Sequence, residues 1–328
     1  MPTVDELLLQ FMQTQVVLAG VSTGVIDACV EPTSIETIAD TTGGNYRAVE
    51  ALVLALSDIG ILSRHPSSNQ VVVNDNDMSL TRLESPNRVA AEAIEAAYYR
   101  AWAHLGQSVR SGHESFSLAM GSPFFEYLDA NPRMRHLVHS MADIDTARFC
   151  DSKYGSIGSF LELPMKGRLL DIGGGSGLLC RAISHELPDL HCAVLERDSM
   201  CDSARAHGVT AYPGDCLANI PAGFDTYVMK SFAHDLPDAQ LELAFTNIAS
   251  ALTTRARFIL IERLAELPSV RKLASRLHAL DLLISFGTLP RALGDYKELL
   301  AAAHMYVNSV KRHGSGYSAI IATSHEGD

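Results

Sequence analysis

The sequence is short of positive charge. Its 328 residues carry 26 Lys and Arg against 38 Asp and Glu, a formal net charge of −12. Nucleic acid and anionic membrane surfaces are therefore disfavoured partners. Cysteine is scarce as well. Cys29, Cys150, Cys180, Cys192, Cys201 and Cys216 form no C-x-x-C pair. Three of them, Cys180, Cys192 and Cys201, lie in or near apolar runs. Buried free thiols are expected rather than disulfides or a zinc site. No uninterrupted apolar run reaches membrane length, and the N-terminus has neither a basic start nor a small-residue cleavage site. These absences point to a soluble cytoplasmic protein. What remains is 47% apolar, enough for a substantial core, in a chain too long for one ordinary domain and comfortable for two.

The most informative stretch is Leu169-Leu170-Asp171-Ile172-Gly173-Gly174-Gly175-Ser176-Gly177-Leu178-Leu179. An apolar run meets an acid, glycines follow at alternate positions, and an amphipathic run begins. The pattern predicts a strand, a tight turn and a helix start. Gly173, Gly175 and Gly177 free the backbone for that turn and let a ligand lie against bare main chain. A nicotinamide-type fingerprint would place its last glycine at position 178, which is Leu178. The spacing suits S-adenosylmethionine (SAM) better, and Asp171 can help hold the positively charged methionine end, directly or through water. A purely structural turn in another doubly wound domain is the competing reading. Downstream spacing favours a ligand. Cys192–Leu195 reads as a second strand ending in Glu196, which can accept hydrogen bonds from both ribose hydroxyls. Two more short apolar runs follow, Val209–Tyr212 before Gly214-Asp215 and Phe224–Lys230. Each has polar residues at its C-terminal end, where ligands of parallel sheets sit.

The N-terminal third reads differently. Val4–Cys29 is apolar and helical in pattern, too oily to stand alone in water. Thr33-Ser34-Ile35-Glu36 reads as a capping box opening a short helix to Asp40. Gly43-Gly44 makes a turn, and a second helix runs from Asn45 or Tyr46 through Ser57 with Val49, Leu52, Val53 and Leu56 on one face. Ile59–Leu62 and Gln70–Val73 read as a hairpin. Two helices and a hairpin make a winged helix, a module that often binds DNA. A DNA-reading helix presents Lys and Arg to phosphates. Between Gly43 and Ser57 only Arg47 is basic, so a packing module that buries apolar surface against another subunit is the better reading.

Residues from about Ser85 to Phe160 read as largely helical. Trp102 belongs to an aromatic face with Tyr98, Tyr99 and Leu105. Phe125 lies in the aromatic Gly121–Tyr127 segment, and Met141 lies in a stripe with Met134, Leu137 and Val138. After Lys230 comes Ser231-Phe232-Ala233-His234-Asp235. A histidine at a strand end, beside a cofactor site and followed by Asp, is a candidate general base. Arg257–Glu262 is a strand ending in a carboxylate that can orient the imidazole. No cluster of oxygen ligands accompanies His234, and a base mechanism needs no metal. The chain closes on a helix and an antiparallel hairpin.

Taken together, these residues resemble the SAM-dependent O-methyltransferases of the plant caffeate and bacterial antibiotic-tailoring type, over nearly the whole chain. The strongest pieces are Asp171–Gly177, Gly214-Asp215, Lys230 with His234-Asp235, and Ile261-Glu262. The resemblance implies an α/β fold, a Rossmann-like SAM-binding sheet with an antiparallel C-terminal hairpin. A mostly helical winged-helix dimerisation domain precedes it. The implied divisions are 1–100 for dimerisation, 101–160 for a helical connector to the acceptor pocket, and 161–328 for the catalytic domain. It implies a homodimer, a small aromatic or polyketide-like acceptor and a place in secondary metabolism. Gly173 and Gly175 would line the cofactor, Glu196 would bind the ribose, Asp215 and Cys216 would lie near the adenine, and the Lys230 main chain would hold the methionine end. His234 matches the general base, with Glu262 and Asp235 sharing the task of supporting it. Met141 matches a methionine that packs on the acceptor ring, with Phe125 and Trp102 as further acceptor contacts. Two departures stand out. Leu236 replaces a usual Trp, and Pro290 stands where a second acid normally flanks the base. A repurposed SAM-binding enzyme of the same fold is the alternative, and a winged-helix regulator is the third reading.

Overall fold

A computed structural model describes residues 3–65, 68, 70–266 and 272–325. The chain divides into two compact units, Met1–Tyr99 with Arg133–Met141, and Arg100–Pro132 with Ala142–Asp328.

The first unit opens with the helix Val4–Ser22, started by a capping box in which Thr3 and Glu6 satisfy each other's backbone amides. Strand β1 (Thr33–Ser34), the helices Ile35–Thr42 and Tyr46–Asp58, and strands β2 (Leu62–Arg64) and β3 (Gln70–Val73) follow. The three strands pair antiparallel in the order β1-β3-β2. Ile26, Ile35, Ile38, Val53, Leu56 and Val71 fill the core between helices and sheet. Ser34, not Thr33, is the residue that caps the first short helix, its hydroxyl accepting from Thr37 N at 3.2 Å. The chain is still extended at Thr33, which pairs with Val71. The hairpin's first strand starts at Leu62, because Ile59 closes the preceding helix and Gly60 takes a left-handed turn. Arg88 is buried and paired with Asp27 at 2.8 Å and Glu92 at 2.6 Å.

The second unit is a seven-stranded sheet. Its strands are β4 (Lys166–Ile172), β5 (Asp189–Glu196), β6 (Thr210–Pro213), β7 (Thr226–Lys230), β8 (Arg257–Glu262), β9 (Tyr306–Arg312) and β10 (Ser318–Thr323). The order is β6-β5-β4-β7-β8-β10-β9. The first five run parallel, and β10 pairs antiparallel with both β8 and β9. Strands β7 and β8 are buried nearly throughout and β4 and β5 over their C-terminal halves, as in a sheet with helices on both faces, while the edge strand β6 stays half-exposed. Leu170 and Ile172 face one layer with Phe245 and Phe258, while Leu169 faces the other with Ile183 and Leu190. The chain steps outward from β4 through β5 to β6, then returns to build β7 and β8 on the other side. That reversal puts the crevice for a ligand at the C-terminal end of β4.

Among the described residues no helix is long and apolar enough to cross a membrane. All six cysteines are unpaired.

Candidate active site

Asp171, the penultimate residue of strand β4, is 2% exposed. Burial raises its pKa to about 7, with the nearby Lys230 charge opposing and Glu196 adding to the rise. One of its oxygens, Oδ1, has no hydrogen-bond partner among the described residues. A buried carboxyl with a bare oxygen is costly unless something satisfies it. The turn that follows needs glycine. Gly173 has φ +71°, and a Cβ there would stand 2.8 Å from the Phe232 ring. Gly175 has φ +55° and open space in front of it. The next helix, Leu178–Glu186, starts at Gly177, and Ser176 donates to Asp143 at 2.5 Å.

Glu196 ends β5 facing the same turn. Its carboxylate accepts from Gly175 N at 3.1 Å and from Arg197 N at 2.9 Å. Burial raises its pKa against those two donors. Asp215 is exposed and accepts from Leu217 N at 2.8 Å, while Cys216 is buried in the core.

Strand β7 ends in Lys230, 9% exposed, whose ammonium lies 3.3 Å from Asp145, 3.1 Å from the Ser231 hydroxyl and 4.8 Å from the centre of the Tyr317 ring. Asp145 also accepts from Arg263 at 2.6 Å and from the Tyr317 hydroxyl. Burial would raise the Asp145 pKa, but the two cations hold it below its ordinary value. Ser231 stands at φ +52°, a backbone conformation a β-carbon resists. It turns the chain out of the sheet toward His234. Its hydroxyl meets Tyr317 Oη at 2.7 Å.

His234 sits in the short turn Ala233–Asp235. Its Nδ1 is 2.7 Å from Glu262 Oε2, and its own backbone N–H donates to Glu262 Oε1 at 3.3 Å. Glu262, at the end of β8, is 1% exposed. One buried carboxylate thus fixes both the ring and the main chain that carries it. On the other side, Nε2 lies 3.3 Å from Asp235 Oδ1. Burial alone would lower the His234 pKa, yet the charges of Glu262 and Asp235 outweigh it and lift the ring to about 9. Burial pushes Asp235 to about 7 despite the imidazole beside it.

The position where a second acid was missing is built another way. Thr288 donates its hydroxyl to the His234 carbonyl at 2.6 Å. Arg291, one residue past Pro290, is 7% exposed and donates to the Ala233 carbonyl at 2.9 Å and the Leu236 carbonyl at 2.6 Å. Asp238 balances its charge at 2.7 Å.

Aromatic side chains crowd the same region. The Phe125 ring is 6.2 Å from Phe232 and 5.6 Å from Phe286. Trp102 donates its indole N–H to Asp281 at 2.9 Å. His278, one helical turn before Asp281, meets the His234 ring edge to face at 5.6 Å. Met141 is half-buried and closes the first unit's share of the helix Pro132–Phe149. The structure therefore gathers Asp171, Gly173, Gly175, Glu196, Lys230, His234, Asp235 and Glu262 around the ends of β4, β5, β7 and β8. Asp145, His278, Asp281, Thr288 and Arg291 join them. Sequence reasoning missed those five, although the His and Asp three apart in Leu277–Leu283 are visible as a pair on one helix face.

A separate open cleft of about 820 Å³ lies at the opposite edge of the sheet, lined by Lys166, Arg168, Asp189, Asp225, Arg255 and Arg257 among others. It opens at the N-terminal ends of the parallel strands, away from the glycine turn. Among the described residues no group of three or more His, Cys, Asp or Glu is placed to hold a metal ion.

Comparison with known proteins is consistent over the whole length. The profile of the O-methyltransferase domain family matches residues 102–305. The mitomycin biosynthesis 6-O-methyltransferase of Streptomyces lavendulae is 27% identical over 334 aligned positions, covering 97% of this chain and 93% of that protein. Among solved structures, a mitomycin 7-O-methyltransferase superimposes with a TM-score of 0.87 at 24% identity, over 98% of this chain and 96% of the other. An O-methyltransferase from neocarzinostatin biosynthesis, in complex with SAM and 2-hydroxy-5-methyl naphthoic acid, gives a TM-score of 0.79 at 21% identity, over 94% and 95% of the two chains.

Proposed function

This chain belongs to the O-methyltransferase domain family, and we propose that it transfers a methyl group from SAM to a hydroxyl of a small aromatic or polyketide-like molecule in secondary-metabolite tailoring. The observation that carries the reading is His234 gripped by buried Glu262, beside a glycine turn whose neighbouring acid, Asp171, keeps one oxygen bare. The residues fit SAM. Asp171 Oδ1 takes the ammonium of the methionine end, which removes the cost of the unpaired oxygen. Glu196 takes the ribose hydroxyls on the lone pairs its two amide donors leave. Gly173 and Gly175 give the backbone surface, the Lys230 main chain supports the methionine end, and Asp215 and Cys216 lie toward the adenine. When bound, SAM supplies a methyl group already activated by the sulfonium charge.

The protein's part is positioning and proton management. Glu262 accepts from His234 Nδ1, leaving Nε2 to take the acceptor's hydroxyl proton. As that proton arrives, Glu262 and Asp235 stabilise the imidazolium. Phe125 and Trp102 give the acceptor ring an apolar wall. The first unit serves as the dimerisation domain, with the helix Val4–Ser22 at a homodimer interface. A cytoplasmic setting agrees with six unpaired cysteines.

The test is single-turnover methyl transfer to a phenol panel at saturating SAM and acceptor. His234→Ala should lower the chemical step by about 100-fold or more and leave SAM affinity nearly intact. A variant that keeps most of its rate would place the base elsewhere. A wild type that binds SAM tightly but methylates no phenol would favour a repurposed enzyme.

A further inference from the structure

His278 and Asp281 stand one turn apart on the helix Lys272–Phe286, so both lie on one face. That face is turned to the base, since His278 meets the His234 ring at 5.6 Å. Asp281 is also close enough to Asp235 for its charge to oppose that carboxyl's ionisation. One Asp281 oxygen is occupied by the Trp102 indole at 2.9 Å. Burial pushes the Asp281 pKa up to about 6 against that indole donor. A carboxylate drawn partly out of water favours a further donor, which a ligand can supply. The aromatic rings of this region, Phe125, Phe232 and Phe286, pack on one another and supply no donor. His278 remains exposed, and crowding by protein atoms together with the His234 charge holds it neutral, with a pKa lowered to about 4. It therefore offers one donor and one acceptor nitrogen.

We propose that Asp281 is a specificity-determining residue, which takes an N–H or O–H donor carried by the acceptor ring besides the hydroxyl that is methylated. His278 borders that donor's position and completes the polar edge of an otherwise aromatic wall. The preferred acceptors are thus aminophenols or polyhydroxylated rings. A carboxylate at that position is rejected, because Asp235, Glu262 and Asp281 already make this corner acidic. A site built around a hydrogen-bond acceptor discriminates strongly against ligands lacking the donor. The inference rests on the O-methyltransferase reading for its acceptor class, but the subsite can be tested by binding alone.

Trp102 is the chain's sole tryptophan, and it touches Asp281, so its fluorescence reports ligand arrival directly. The three aminophenol isomers are titrated against the matching methoxyphenols, with SAM present. At least one aminophenol should bind about 10-fold or more tightly than its methoxy partner. In Asp281→Leu the ratio should fall to near one, and in Asp281→Asn it should fall part of the way. Should the Leu variant not fold, the Asn variant decides. Equal affinities in the wild type, no binding of either series, or a ratio unchanged by both substitutions would overturn the proposal. Methyl transfer is followed in parallel. An Asp281-dependent binding preference without transfer to any phenol supports the subsite and counts against the methyltransferase reading.

Discussion

His234 is held by a buried carboxylate on one nitrogen and faces a second on the other, and this pairing sets how basic the ring is. A phenol has a pKa near 10 and an ordinary imidazole one near 6.5, so bare proton transfer is uphill by about 5 kcal/mol. With the ring lifted to about 9, the gap narrows to about 1–2 kcal/mol. The consequence is that the resting ring is charged at neutral pH and only its deprotonated fraction can act. Turnover should therefore rise with pH, close to tenfold per unit, and level off near pH 9. Glu262→Gln removes the nearest charge holding the proton on. Its profile should rise at lower pH, toward the ordinary imidazole value, with a lower plateau because the ring is less well held. A pH–rate profile at saturating SAM checks both, and a flat wild-type profile between pH 6 and 9 would reject His234 as the titrating base. His234, Asp235 and Glu262 were legible in the sequence, Glu262 because it closes a strand and His234 with Asp235 because they follow one within a few residues. His278 and Asp281 were not. They lie on a helix more than one element away, in a run that reads equally well as core, and only the packing turns them toward His234.

The element that holds His234 is the turn Ala233–Asp235, and three supports converge on it. Ser231 enters it through a strained left-handed conformation, tied down by Lys230 and Tyr317. Glu262 holds it from β8. Thr288 and Arg291 hold its carbonyls from the segment after the helix Lys272–Phe286. Arg291→Ala should leave two buried carbonyls bare, costing about 1–3 kcal/mol of stability for each. It should also let His234 drift, lowering kcat by about 10- to 100-fold with a smaller change in the affinity for SAM. Arg291→Lys should recover little, since one ammonium cannot span carbonyls that a planar guanidinium bridges. Denaturant unfolding and steady-state kinetics on both variants read this out. Unchanged kcat in a destabilised Arg291→Ala would make the residue a packing group only. Pro290 was readable from sequence as a missing acid, but its consequence was not. A side chain that donates to distant carbonyls leaves no periodicity or spacing, so Thr288 and Arg291 carried no signal. The parallel strands were legible because a short apolar run closed by Asp, Glu or Lys is what a strand buried on both faces and ending at a polar crevice requires. The first short helix was legible in kind, while the choice between Thr33 and Ser34 as its cap depended on a strand pairing to Val71 that no local pattern encodes.

At the scale of the molecule, the first helix changes character along its length. Leu18 and Val21 are buried in the first unit's core, whereas Val4, Leu8, Leu9, Phe11 and Met12 are 70%, 65%, 54%, 51% and 53% exposed. Its charges do not compensate, because Glu6 is engaged in the capping box at the very end. A run of large apolar side chains left in water on a folded protein marks an interface, and burial against the same helix of a second copy is the arrangement we propose. Truncation is a poor test, since removing the residues before Pro32 also takes Leu18, Val21, Val25 and Ile26 out of the core. Substitution is cleaner. Leu8 and Phe11 touch little in the monomer, so Leu8→Lys with Phe11→Lys should leave the fold of each chain intact. Two ammonium groups placed in an apolar contact should weaken the dimer by about 100-fold or more, since each costs several kcal/mol to bury unpaired. Sedimentation velocity at micromolar concentration should give a dimer for the wild type and a folded monomer for the double variant. A well-folded wild-type monomer at that concentration, or a double variant that still dimerises, would place the interface elsewhere and leave the exposed half of the helix to another partner.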